Sequence, residues 1–210
     1  MILALETSTR NASLAVWDRA TGDVVHEATF TTERAHNAVI FGPVEAILTE
    51  YRERLRGIVV GLGPGSYGGV RVAIAVANGL GLAMGLPVAG RSSLEAWDAE
   101  DDSYLVVGDA RRGTFFVAEV IDRRLRGEPA LIDVAEIEAH LAPLRERGLP
   151  LHTSDPKVAE RLPGARLSSP SAGKLASLFG DRDFESGPVV LEPHYLRAPF
   201  ITTPKQPRST

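Results

Sequence analysis

The segment that most constrains this chain runs from Gly57 to Met84. A short apolar run, Gly57-Ile-Val-Val-Gly-Leu62, leads through Gly61-Leu-Gly-Pro-Gly-Ser-Tyr-Gly-Gly-Val-Arg71 into Val70–Met84, where nearly every residue is small or apolar. The first piece predicts a buried strand, the last a buried helix, and the glycine block the turn between them. A strand that hands over directly to a helix points to α/β architecture. A glycine-rich turn at that junction means that something approaches the backbone closely. The visitor is either a phosphate held at the helix N-terminus or another piece of protein.

Upstream, Ile2–Thr7, Ala12–Asp18 and Val24–Thr32 predict three strands joined by tight turns, an antiparallel meander. From His36 to Leu55, the apolar residues Ile40, Val44, Ile47, Leu48, Tyr51 and Leu55 recur at helical spacing. Pro43 falls within this pattern and predicts either a kink or a helix that starts near Gly42. After the glycine block and a helix from about 69 to 85, Pro87–Gly90 predicts a strand. Ser92 or Ser93 is placed to cap a helix running from Leu94 toward Trp97. The order is βββαβαβα. Asp98-Ala-Glu-Asp-Asp102 is an acidic break, so the expected division is 1–98 for the first lobe, 99–197 for a reduced second lobe and 198–210 for a flexible, Pro-containing tail. The second half restarts with a hairpin, Tyr104–Asp109 and Thr114–Ile121, around Ala110-Arg-Arg-Gly113. Beyond it, 129–134 and 149–153 predict strands, and 135–147 and 171–179 predict helices.

A chain of 210 residues, 44% apolar and 24% charged, can bury one large core or two small ones. Its net charge of -4 argues against holding nucleic acid by charge alone. The arginine clusters at 111–112, 123–126 and 145–147 are expected to be solvated faces. With no cysteine, disulfides, thiol catalysis and Cys-ligated zinc are excluded, which suits a reducing cytoplasm. Met1–Glu6 has no basic leader region, and Val72–Leu86 is shorter than a membrane span needs, so neither secretion nor membrane insertion is expected.

Five chemical readings of these residues can be weighed. Gly63-Pro-Gly-Ser-Tyr-Gly68 satisfies G-x-G-x-x-G, but a dinucleotide fold needs an acid at the end of the following strand, and Val88-Ala-Gly-Arg91 has none. Arg91 is the only group there that could meet a 2′-phosphate. No lysine follows the glycines, which argues against a Walker loop. Position 40 is Ile, so His36 lacks the partner one turn on that a helical metal pair needs. His26, His140, His152 and His194 show no ligand spacing. Ser66 matches a nucleophile elbow only with Pro64 in a glycine position. Glu6-Thr-Ser-Thr9, at the end of the first strand, occupies the turn where actin-like ATPases hold metal and phosphate, yet no glycine follows Glu6.

Taken together, Ile2–Thr9, His36 before a Pro-containing helix, Gly61–Arg71, Gly90-Arg-Ser-Ser-Leu-Glu-Ala96, Asp109-Ala-Arg-Arg112 and Pro193-His-Tyr-Leu-Arg197 resemble the TsaB/YeaZ family over nearly the whole chain. The resemblance implies the actin-like, sugar-kinase-like (ASKHA) fold with two lobes. It also implies a non-catalytic subunit in the making of threonylcarbamoyl-adenosine at position 37 of tRNAs that read codons beginning with A. In that reading the chain pairs with its catalytic homologue TsaD and is joined by the ATPase TsaE, while TsaC supplies the threonylcarbamoyl-adenylate. Isolated, it is expected to form a homodimer. It has no catalytic residue, cofactor or metal of its own; ATP and metal sit on partner subunits, and tRNA is met only through the complex. The alternatives are a nucleotide-binding ASKHA ATPase, an NAD(P)-binding enzyme, or a metallopeptidase, since the superfamily was once described as glycoproteases.

The resemblance places the partner contact on the first-lobe helices. The expected interface residues are His36, Ile40, Val44 and Ile47, with Val70, Ala73, Ala77, Leu80 and Met84. Gly63, Gly65, Ser66, Gly68 and Gly69 form the structural turn. The family usually has Thr where this chain has Gly68, so a helix-capping hydroxyl is expected to be lost there.

Overall fold

The computed structural model describes residues 1–31, 39–179 and 190–197. His36 and the proposed tail at 198–210 therefore lie outside the described residues. Two sheets carry the fold. The first contains β1 (Ile2–Glu6), β2 (Asn11–Asp18), β3 (Asp23–Thr31), β4 (Gly57–Gly61) and β5 (Val88–Arg91), in spatial order β3-β2-β1-β4-β5. β1 pairs antiparallel with β2 and parallel with β4, so it is the central strand on which the meander and the crossover meet. Alternate residues of β1 enter two cores: Leu3 and Leu5 face one, Ile2 and Ala4 the other. Burial on both faces explains why β1 reads as an unbroken apolar run rather than an alternating one.

Helices α1 (Phe41–Tyr51) and α2 (Tyr67–Met84) cover one face of this sheet. Pro43 stands in the first turn of α1, where a missing N–H breaks no internal bond, so α1 starts at Phe41, just ahead of the proline. A single 3-10 turn, Arg52–Arg54, finishes it. α2 ends at Gly85, whose φ of 66° closes the helix with its N–H on the Gly81 carbonyl. By length and composition α2 could cross a membrane; here one of its faces is packed on β1 and β4.

The second sheet contains β6 (Tyr104–Asp109), β7 (Thr114–Ile121), β8 (Arg124–Leu125), β9 (Ala130–Asp133), β10 (Leu151–Thr153) and β11 (Ala165–Leu167). Its order is β11-β10-β6-β7-β8, with β9 also on β7. β6 repeats the role of β1, being antiparallel to the next strand and parallel to a later one, β10. α3 (Ile137–Glu146) and α4 (Pro156–Arg161) lie on one face. The last described helix, α5 (Ala172–Phe179), returns to pack on β1 and β2 of the first sheet, with the Ala172 N–H donating to Ser13 Oγ at 2.8 Å.

Two local expectations need correction. Ser92–Trp97 is not a helix but a pair of overlapping turns, closed by Glu95 N–H on the Ser92 carbonyl at 3.1 Å and Ala96 N–H on the Ser93 carbonyl at 3.2 Å. Tertiary contacts pull it out of helical shape: Glu95 turns back to Arg91 and accepts from Leu125 N–H, while Trp97 pairs with Pro170. Conversely, α4 was not expected. Its signal was present in Asp155-Pro156, an N-cap whose side chain accepts from Lys157 N–H, followed by proline in the first turn.

Candidate functional site

The glycine block lies at the C-terminal end of β4, the position at which open α/β sheets bind ligands. Ser66 caps α2, its Oγ accepting from Gly69 N–H at 3.2 Å. The cap therefore stands two residues before Gly68. Gly68 falls in the first turn, and the expected loss of a capping hydroxyl there does not occur. Gly63 takes a φ of 86°, a left-handed value that glycine adopts without strain.

What approaches the glycines is the β1–β2 turn of the same chain. Ser66 N–H donates to the Ser8 carbonyl at 2.6 Å, and Thr7 Oγ1 donates to the Gly69 carbonyl at 2.8 Å. A Cβ on Gly65 would overlap the Ser8 carbonyl oxygen, one on Gly69 the Thr7 carbonyl oxygen, and one on Gly61 the Glu6 carboxylate. Ser93 seals the other side, with its Oγ accepting from Gly63 N–H at 3.0 Å and its N–H donating to the Gly63 carbonyl at 2.9 Å. A phosphate at this helix N-terminus would need amide donors and open space. Here the Ser66 amide bonds the Ser8 carbonyl, and the Thr7 carbonyl oxygen and the Glu6 carboxyl also line the glycines.

Glu6 lies fully buried beneath the turn. Its Oε1 accepts from Ser8 N–H at 2.7 Å, while Oε2 and the Ser8 hydroxyl have no hydrogen-bond partner among the described residues. Burial raises the Glu6 pKa, and the hydrogen bond from Ser8 N–H offsets this only in part. With its folded pKa raised, Glu6 contributes stability that is complete below its unfolded value near 4.5 and is lost as pH rises through the folded value. Glu6→Gln keeps the shape and removes the titration. Its denaturant midpoint should match wild type at acid pH and exceed it at pH values above neutrality; equal pH slopes in the two proteins would show that Glu6 is ionised. No group of three or more His, Asp or Glu side chains able to hold a metal occurs among the described residues.

The other candidates are engaged structurally. Arg91, weighed for a 2′-phosphate, is buried and ion-paired with Glu95 at 2.5 Å. Ser66 Oγ is the helix cap described above. In the second sheet the β6–β7 turn closes on itself: Ala110 N–H donates to the Thr114 carbonyl at 2.9 Å, and Asp109 accepts from Arg111 N–H at 2.7 Å. Arg111 and Arg112 both take positive φ, 65° and 55°, as a tight hairpin turn demands.

The residues expected at a partner interface fall mostly inside the chain's own core. Ile40, Val44, Ile47, Val70, Ala73 and Ala77 are buried together against β1 and β4, and Leu80 and Met84 pack at the margin of that cluster. The small residues of α2 allow close approach of its own sheet: a Cβ on Gly81 would overlap Val88. The open face of α2 is the opposite one, Tyr67, Arg71, Ala75, Asn78, Gly79 and Leu82, with Leu82 89% exposed. Beside α1, Phe41, Val44, Leu48 and Arg52 line a shallow groove of about 450 Å³.

Sequence reasoning missed two further clusters. The first is a junction at the acidic break. The Arg123 guanidinium, buried, donates to the carbonyls of Trp97 and Ala99, each at 2.6 Å, and to Asp102 at 2.8 Å. It lies over Tyr104, whose pKa burial pushes up to about 12, and Tyr104 meets His152 edge-on at 5.8 Å. The second is the segment 190–197, which spans both halves. His194 N–H donates to the Leu62 carbonyl at 2.8 Å, Leu191 packs on the first core, and Leu196 packs on the core of the second sheet. Tyr195 stacks on Tyr67 at 5.3 Å, and Arg197 reaches Thr114 at 2.5 Å. Pro193-His-Tyr-Leu-Arg197 carried the only sequence signal for this segment.

Comparisons with known proteins agree with this geometry. The sequence model of the family described as tRNA N6-adenosine threonylcarbamoyltransferase, TsaD, matches residues 23–180. An uncharacterized protein of Mycobacterium tuberculosis strain H37Rv is 32% identical over 203 residues, covering 94% of this chain and 92% of that protein. The Escherichia coli K12 tRNA threonylcarbamoyladenosine biosynthesis protein TsaB is 34% identical over 151 residues, covering 68% of this chain and 62% of that protein. A Pseudomonas aeruginosa protein with similarity to peptidase YEAZ superposes with a TM-score of 0.68 over 93% of this chain and 99% of that one, at 24% identity. YeaZ from Pseudomonas aeruginosa superposes with a TM-score of 0.63 at 25% identity, over 85% of this chain and 90% of that one. The fold is the actin-like, two-sheet α/β class that the sequence predicted.

Proposed function

The chain belongs to the TsaB/YeaZ group of the tRNA N6-adenosine threonylcarbamoyltransferase family, and from that membership we propose that it is a non-catalytic subunit in threonylcarbamoyladenosine formation on tRNA. It acts by binding and activating the catalytic homologue, TsaD, in a complex that TsaE joins. Its lobes are read as 1–98 and 99–197.

One observation carries the non-catalytic reading: Thr7 and Ser8 fill the space over the glycine turn that a nucleotide phosphate would take. Nucleotide and metal then belong to the partner. The partner contact is assigned to the open face of α2 around Ala75, Gly79 and Leu82, together with the groove on α1. A stripe of small residues beside the exposed Leu82 suits close helix-on-helix packing.

The deciding experiment is reconstitution of the modification on tRNA from purified components, with and without this chain. Modification is expected to need the chain, while calorimetry of the chain alone with ATP should show no binding. Full modification without the chain would overturn the reading, as would tight ATP binding by the chain itself.

A further inference from the structure

Two features lie next to the glycine turn, the first at the N-terminal end of the open face of α2, one turn or more before Ala75, Gly79 and Leu82. The first is a three-layer stack. Arg71 lies 5.0 Å over the ring of Tyr67 and donates to its hydroxyl at 2.8 Å, and Tyr67 stacks on Tyr195 with ring centroids 5.3 Å apart. Both tyrosines are largely solvent-exposed, Tyr67 at 53% and Tyr195 at 44%. The second is a cavity of about 360 Å³ to which Tyr195 also contributes. Its walls are Pro64, Leu125, Pro129 and Leu196, and its polar groups are His194 and Glu128.

We propose that this cavity takes an unpaired base of single-stranded RNA, stacked in series with Tyr195, Tyr67 and Arg71. The volume suits a nucleobase, apolar walls and the Tyr195 ring suit its faces, and His194 and Glu128 can meet donors and acceptors on its edge. Exposed aromatic rings in series are the usual platform for unstacked bases. Arg71 caps the stack at one end, and Arg197 directly follows Leu196 of the cavity wall. Glu128 lies in the cavity wall and offsets part of this positive charge. Stacking, not phosphate attraction, supplies the affinity, which reconciles an RNA contact with a net charge of -4. The proposal rests on the role in tRNA modification argued above and locates where this subunit touches the RNA.

The test measures anisotropy of a short fluorescein-labelled single-stranded RNA with the full chain at low salt. Wild type is expected to bind it and to prefer it over the duplex of the same sequence. Tyr195→Ala should weaken binding by roughly 5- to 150-fold, the range that loss of one stacked base gives. Tyr195→Phe should retain it. Tyr195→Leu, which keeps bulk without an aromatic face, should fail like alanine while its circular dichroism melt stays at the wild-type temperature. Absence of RNA binding by wild type, or equal binding by Tyr195→Leu, overturns the proposal. So does a Tyr195→Leu protein that binds RNA normally but no longer co-elutes with TsaD, because the cavity is then a protein contact. Failure here is distinct from failure of the functional reading: if modification still requires the chain, only the base site is lost.

Discussion

Gly69→Ala is expected to lower the unfolding free energy by about 2–3 kcal/mol, the cost of overpacking a closed site. For a chain of this size that corresponds to a fall in Tm of about 5–10 °C. The sign runs against helix propensity, because alanine in place of glycine within a helix ordinarily gains about 0.5–1 kcal/mol. Here the added Cβ would overlap the Thr7 carbonyl oxygen, and backbone cannot swing aside as a flexible side chain can. Gly79→Ala is the matched control in the same helix. Nothing lies within 4 Å of its Cβ position, so it should stabilise by the ordinary propensity gain. Thermal melts of the two variants read the difference directly. A Gly69→Ala protein as stable as Gly79→Ala would mean that the β1–β2 turn does not sit on the glycine turn in solution.

The second large effect separates the two faces of α2. Leu82→Glu is expected to abolish co-elution with TsaD in gel filtration while leaving the circular dichroism spectrum and Tm unchanged, since Leu82 is 89% exposed. A hot-spot residue at the centre of an interface is worth about 2–4 kcal/mol, a loss of roughly 30- to 1000-fold in affinity. Ala73→Asp should instead unfold the chain. Its side chain is fully buried against the first sheet, and an unpaired carboxylate there costs more than about 4 kcal/mol. An intact complex with Leu82→Glu would remove the partner from this face.

The contrast between Leu82 and Ala73 shows where the sequence stopped being legible. Periodicity placed a helix over about 69–85 and identified its small residues correctly. It could not say which side of that helix the sheet takes, because small and apolar residues run almost all the way round it. Expected contact positions such as Ala73 and Ala77 therefore lie in the core, and the open stripe lies through Ala75 and Gly79. Ser92–Trp97 shows a different limit. Serine caps and a following Leu-Glu-Ala satisfy every local rule for a helix start, and the segment is overridden by Arg91, Leu125 and Pro170, which are distant in sequence or on another element. Tyr67 and Tyr195 are separated by most of the chain, so no window could have paired them.

Local chemistry determined the strand-turn-helix at 57–84, the opening meander, the second hairpin and the absence of cysteine chemistry, because each follows from patterns within a few residues. The glycines themselves announced that something comes close to the backbone between Gly61 and Gly69. What comes close was settled only by the tertiary structure. β1 pairs parallel with β4 and therefore ends beside it, which carries Thr7 and Ser8 onto the glycine turn. A sheet pairing more than fifty residues apart in sequence decided whether that turn faces a phosphate or its own chain.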